Sequence, residues 1–295
     1  MSRPAAGARF SRAYSRVGTQ WPAAMKPLLP LLFLGVGLPA VAQDSRPAVS
    51  FERVVMIGAS VTHGGAPAAA ILDAAIRQEH EEIERLGNPN IALDPVTLGR
   101  GQMERAVRHE ASVVVGIDIL FWYAYGRPYL HDHPDPKDPD GWRLLRVERG
   151  LRDLDQVPLP LVLGEVPDMR GASDALLPAS LLPGPEALTR INQRVRAWAR
   201  ERPRVLLLPL CQWVADMRAG RLGLPPAVDA RATPLAADLI LSADRLHPSR
   251  AGYVLLGSWL VDALEQWLPA AARGRVAQPG ARVRADLAQS LPARR

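Results

Sequence analysis

Two short stretches of this chain hold residues whose types and spacing suit proton transfer and nucleophilic attack. In Asp244-Arg245-Leu246-His247-Pro248 a carboxylate stands three residues before an imidazole. Within a turn, that spacing lets the carboxylate reach Nδ1, which fixes the tautomer and leaves Nε2 free to take a proton. Pro248 suits the point where a helix begins. The bland reading of the same residues is a helix-capping turn with an incidental histidine. In the second stretch, Gly58-Ala59-Ser60-Val61-Thr62, a serine follows an apolar run. Its hydroxyl would leave the end of a strand beside backbone N–H groups able to receive an anion. Alone, this is equally a tight turn or a phosphate cradle, and Thr62 breaks the G-x-S-x-G pattern of the lipase elbow.

The elements that must position these residues follow from hydrophobic patterning. From Phe51 on, short β-rich runs alternate with longer amphipathic stretches, the signature of βα units on a parallel sheet. Strands are expected at Arg53–Ala59, Pro95–Leu98, Ala111–Tyr123, Leu159–Val166 and Arg204–Leu208. Helices are expected near Pro67–Leu86, Gln102–His109, Gly141–Leu154, Pro185–Arg200 and Ser249–Leu268. Runs such as VVVGIDILFW and PLVLGEV are apolar on both faces, which fits a sheet covered by helices on each side. The fold class is therefore α/β, a three-layer α/β/α sandwich, and ligands in such sheets sit outside the carboxyl ends of the strands.

A serine after the first strand combined with D-x-x-H before the last helix resembles the SGNH (GDSL-type) hydrolases, over roughly residues 51–268. The resemblance implies a flavodoxin-like parallel sheet, with Ser60 as nucleophile, Asp244 as orienting acid and His247 as base. It also implies an oxyanion hole containing the Ser60 N–H and a glycine after the second strand, either Gly101 or Gly99 in LGRGQ. Two departures stand out. Ala59 replaces the usual Asp of the G-D-S motif, and the G-x-N-D motif is missing, since no Asn occurs between Ala111 and Leu130. If the third strand runs that far, alternation points Tyr123 and Tyr125 the same way and Trp122 the other, so a tyrosine hydroxyl is the expected substitute for the asparagine amide.

Around this site, Glu165 and Asp168 leave the fourth strand and either bind substrate or cap the next segment. The aromatic group Phe121, Trp122, Tyr123, Tyr125 and Tyr129 either walls an acyl or sugar pocket or packs in the core. His131-Asp132-His133-Pro134-Asp135 has ligand-type side chains but reads as a solvated lid, so no metal is expected. His63 reads as a polar neighbour of the serine. The single cysteine, Cys211, lacks both a disulfide partner and a zinc-ligand spacing and reads as a core thiol.

The chain has 295 residues, 48% of them apolar and 22% charged, which excludes disorder and a multi-span membrane protein. Its net charge of +6 is concentrated at the ends: residues 1–42 carry +5, residues 270–295 carry +5, and the body between them is left at −4. Such a body has no broad basic face for phosphates, which excludes nucleic acid as a partner. The segment after Met25-Lys26 is apolar and ends in Ala40-Val41-Ala42, as a secretory signal peptide requires. Residues 1–42 are thus expected to be a signal peptide, with Met25 as an alternative start that leaves a compact signal. Residues 43–269 would form the domain and residues 270–295 a basic tail without structure. The expected protein is a periplasmic or secreted serine esterase that removes small acyl groups from carbohydrate or other small-molecule esters through an acyl-enzyme. It would need no cofactor and have no stable membrane span after signal cleavage. An acyltransferase on the same triad and a carbohydrate-binding module on the same fold are the alternatives.

Overall fold

β-branched residues pack well on a pleated surface, and Val54-Val55, Val113–Val115 and Val162 mark three central strands. The computed structural model describes residues 49–63, 66–127, 138 and 140–291. In chain order the elements are β1 (Val54–Met56), α1 (Ser60–His63), α2 (Ala66–Ala75), β2 (Glu84–Arg85), α3 (Pro95–Arg108), β3 (Val113–Gly116), α4 (Ile119–Tyr125) and α5 (Gly141–Asp155). They continue with β4 (Leu161–Gly164), α6 (Pro185–Arg200), β5 (Val205–Leu208), α7 (Leu210–Arg218), α8 (Ala237–Ile240), α9 (Arg250–Trp267) and α10 (Gly280–Ser290). The five strands form one parallel sheet in the order β2-β1-β3-β4-β5. This is the flavodoxin-like order, in which the topological switch lies between β1 and β3.

Successive side chains of a strand face opposite sides of the sheet, and the core divides accordingly. Val54, Met56, Val113, Val115 and Val162 pack with residues of α2, α9 and α10. Val55, Ile57, Val114, Leu161 and Leu163 pack with residues of α3 to α6. The protein is thus a three-layer α/β/α sandwich, as its patterning implies.

Three expectations about elements need correction. Pro95–Leu98 is the first turn of α3 and not a strand: the Asp94 side chain accepts from the Thr97 N–H at 3.0 Å, and Pro95 occupies the first helical turn, a helix start. The true second strand is the charged pair Glu84–Arg85, too short to show alternation. The long strand expected over Ala111–Tyr123 stops at Gly116, and all seven residues of α4 are buried. A buried helix and a buried strand give the same apolar run. The helix expected over Pro67–Leu86 ends at Ala75, because Ile76 pairs antiparallel with Val276 and the Arg77 N–H donates to the Arg275 carbonyl.

That capture also corrects the expected unstructured tail. Val276, Val283 and Leu287 are buried, and α10 packs on α9 and α2. The tail's arginines act as local donors: Arg275 Nη1 to the Val49 carbonyl at 2.7 Å, and Arg284 Nη1 to that of Val228 at 3.0 Å. The expected signal segment lies outside the described residues. Among the described residues no helix is long and apolar enough to cross a membrane. Burying an aliphatic side chain contributes about 1.5–3 kcal/mol. Removal of residues 274–295 should therefore lower the unfolding midpoint by on the order of 10 °C. Calorimetry checks this, and a shortened chain melting with the full-length one would show that α10 is dispensable.

Candidate active site

Asp244 and His247 lie on the loop between α8 and α9. That loop is closed by the Ser242 N–H donating to the His247 carbonyl at 2.9 Å and by the Ser242 hydroxyl donating to the Pro248 carbonyl at 3.0 Å. Ser249 then caps α9, its Oγ accepting from the Gly252 N–H. Within the loop Arg245 adopts a positive φ of 57°, a left-handed residue that turns the chain between Asp244 and His247. Asp244 Oδ1 accepts from the Leu246 and His247 N–H groups at 2.9 Å each, and Oδ2 lies 2.8 Å from His247 Nδ1. An ionised carboxylate only accepts, so Nδ1 carries the proton and Nε2 is left as an acceptor. Ser60 Oγ stands 2.9 Å from that Nε2. Burial alone would raise the pKa of Asp244, but the hydrogen bonds from the His247 ring and the two backbone N–H groups outweigh it and hold the group below the usual carboxylate range.

Ser60 begins α1, so its N–H is among the donors that a helix leaves without an intrahelical partner. The turn before it is held by a residue that sequence reasoning passed over. Asp118, just past the carboxyl end of β3 and 6% exposed, accepts from the N–H groups of Ala59 at 3.1 Å and Val61 at 3.2 Å, and lies 3.3 Å from the Thr62 hydroxyl, which donates chiefly to the Ile57 carbonyl at 2.9 Å. Burial raises the Asp118 pKa, and the Ala59 and Val61 donors and the nearby Trp122 indole offset this only in part. A lone carboxylate inside the apolar run VVVGIDILFW was the available signal, since such a group is rarely buried without partners. On the other side of the turn, Gln102 of α3 clamps Gly58, accepting from its N–H at 2.7 Å and donating to its carbonyl at 2.9 Å. Gly58 has a φ of +135°, and a Cβ there would lie 1.9 Å from Asp118 Oδ1.

The other expected site residues fall elsewhere. Gly99 and Gly101 are helical residues of α3. Gly99 makes room for the Tyr123 ring, while Gly101 lines a separate groove with His63 and Arg105. With the second strand at Glu84–Arg85, the glycine that approaches the serine turn is Gly87, where a Cβ would lie 2.8 Å from the His63 nitrogen. Because α4 is a helix, the alternation expected of Tyr123, Tyr125 and Trp122 fails and the facing is reversed. Tyr123 is buried between Gly99 and Gly150. The Tyr125 hydroxyl donates to the Pro167 carbonyl at 2.9 Å and accepts from the Met169 N–H at 3.1 Å. Trp122 instead lines the pocket containing Ser60 and His247. Its indole N–H is buried and lies near Asp118, outside good hydrogen-bond geometry but close enough to favour the carboxylate.

Glu165 is buried but serves the fold: it accepts from Arg196 Nε at 2.6 Å and from the Cys211 N–H at 3.2 Å. Asp168 pairs with Arg170, and neither carboxylate lines the pocket. Cys211 is half-buried, its thiol donates to the Val166 carbonyl at 3.3 Å, and burial pushes its pKa up to about 12. Among the described residues no cluster of His, Cys, Asp and Glu could hold a metal. Residues 131–135 and Tyr129 lie outside the described ones.

No family model and no curated protein matches this sequence. Solved structures do. A gut microbial diltiazem-metabolizing enzyme aligns over 75% of this chain with a TM-score of 0.50 and 14% identity, and the chain spans about half of that protein, 48%. The acetylxylan esterase Axe2 from Geobacillus stearothermophilus aligns over 75% of this chain and 98% of its own, at 17% identity and a TM-score of 0.46. A structure described as a lipolytic protein of the G-D-S-L family, from Desulfitobacterium hafniense DCB-2, aligns over 72% of this chain and 99% of its own, at 15% identity and 0.44. These likenesses concern the fold.

The clamp on Gly58 predicts a contrast between two glycines. Gly58→Ala should cost about 2 kcal/mol or more, since the backbone strain alone is worth about 1–3 kcal/mol and the added methyl displaces Asp118. Gly101→Ala, with nothing within 4 Å of its would-be Cβ, should stabilise by about 0.4–1 kcal/mol. Urea unfolding measures both, and equal midpoints for the two variants would contradict the clamp.

Proposed function

We propose that this protein is a carboxylic-ester hydrolase acting through Ser60, His247 and Asp244. The observation that carries the reading is the unbroken chain from Ser60 Oγ to His247 Nε2 at 2.9 Å and from His247 Nδ1 to Asp244 at 2.8 Å. A nucleophile, a base in hydrogen-bond reach and a group orienting the base are the arrangement that activates a hydroxyl. Ser60 Oγ attacks the ester carbonyl while Nε2 takes its proton, and Asp244 stabilises the resulting imidazolium. His247 then returns the proton to the departing alcohol, and water, activated by the same nitrogen, releases the acid from the acyl-enzyme.

The negative charge on the carbonyl oxygen needs donors. The Ser60 N–H supplies one. The second is proposed to be the Trp122 indole N–H, which belongs to the same pocket wall and would turn from Asp118 to the oxyanion as substrate binds. It takes the part expected of a tyrosine hydroxyl. Glu165 and Asp168, expected to bind substrate or cap the next segment, lie away from the pocket and are given no part in substrate binding. Action outside the cytoplasm belongs to the same proposal and rests on the signal-like segment before Gln43.

A fluorophosphonate probe should label Ser60 and fail to label Ser60→Ala. Ser60→Ala and His247→Ala should each abolish nearly all p-nitrophenyl ester turnover, and the double variant should be little worse than either. Asp244→Asn should reduce kcat by about 10⁴ through the wrong tautomer. Full activity in Ser60→Ala would overturn the mechanism. Trp122→Phe keeps the ring and removes the donor, so kcat should fall by about 100- to 1,000-fold with little change in KM. An unchanged kcat would remove Trp122 from the oxyanion role.

A further inference from the structure

The pocket that Ser60 and His247 share runs inward between α4, α7 and α9, and away from them its walls are apolar. Phe121 and Trp122 line it from α4, Leu210, Val214 and Met217 from α7, and Leu256 from α9. Trp259 closes part of the α9 side, with its indole nitrogen already donating to the Gly223 carbonyl at 2.8 Å. The polar side chains Asp118 and His247 belong to the end where Ser60 stands. The cavity volume is about 120 Å³. A dry apolar cavity of about 150 Å³ holds a benzene ring of six carbons, so this one has room for a chain of about four to six.

Resting on the esterase reading, we propose that this pocket binds the acyl part of the substrate, and that the acid released is a straight aliphatic acid of about four to six carbons. The acyl side is the one that fits. After the first half reaction the alcohol must leave and water must reach the ester carbon. A half-enclosed apolar pocket would trap a departing alcohol, whereas an acyl chain remaining in it leaves the His247 side open. Acetate would leave most of the cavity unfilled, and the apolar surface lining it would gain nothing from the reaction.

Each methylene moved from water into the pocket is expected to raise kcat/KM about fourfold. With p-nitrophenyl esters of two, four, six, eight and twelve carbons, kcat/KM should rise by roughly 10- to 20-fold from acetate to butyrate. It should peak at four to six carbons and fall by twelve. Val214 is half-buried on the pocket wall, so Val214→Phe should lower the hexanoate-to-acetate ratio at least tenfold. Leu256→Phe obstructs the cavity from the facing helix and should do the same, with thermal melts reporting whether each variant is folded. Two results would overturn the assignment while leaving the esterase reading intact: a profile flat or highest at acetate in a protein whose Ser60 takes the fluorophosphonate label, or a peak at twelve carbons. A protein that neither takes the label nor turns over any of the five esters would overturn the esterase reading and the pocket assignment together.

Discussion

A buried carboxylate must find donors or give up its charge, and in this fold that constraint falls on Asp118. It stands just past the end of β3, next to the topological switch, and the donors it finds are the Ala59 and Val61 N–H groups at the end of β1. Two neighbouring strands are thereby joined beyond the last ladder bond, and the turn between them is held in a conformation that Gly58 alone can adopt. Gln102 holds the same turn from the α3 side. Ser60 has no freedom to wander because the residues on both sides of it are anchored, and its hydroxyl is delivered to the same edge of the sheet as His247. Position 59 itself is an alanine, and the carboxylate that serves the turn is supplied from the end of another strand.

Much of this architecture can be read from the sequence where one physical rule acts alone. α6 and α5 have strong amphipathic periods with Pro185 and Gly141 at their starts, and their expected extents agree with the structure to within a residue. The D-x-x-H spacing is local, so the contact between Asp244 and His247 follows from a turn. What was hidden depends on partners far away in sequence. β2 is two charged residues that become a strand only by pairing with β1, and missing it moved the second-strand glycine from Gly87 to the helical Gly99 and Gly101. α4 is buried on every side, so its apolar run carries no period, and assigning it as strand reversed the facing of Trp122 and the tyrosines. The tail reads as soluble and basic until the covering of Val276, Val283 and Leu287 by α2 and α9 is known.

The two halves of the site also differ in how they are held. The Asp244–His247 loop is self-contained, closed by its own backbone and side-chain bonds through Ser242. The Ser60 turn is a junction, stabilised by β3 and α3 and crowded by the chain leaving β2 at Gly87. A substitution in the loop changes His247 itself or the way Asp244 orients it. A substitution in α3 or at the end of β3 reaches the serine through the backbone, at a distance and without touching substrate.

The hydrogen bond between Ser60 and His247 spans 187 positions of sequence, and this separation has a consequence in time. A chain is made at about 5–20 residues per second, so the serine turn is synthesised about 10–40 seconds before the histidine it is hydrogen-bonded to. Once Gln102, Asp118 and the strands beside β1 have been made, the turn has its anchors, while the hydroxyl still lacks its partner. On the proposed mechanism the chain therefore stays inactive until synthesis has passed all five strands of the sheet and reached the loop before α9.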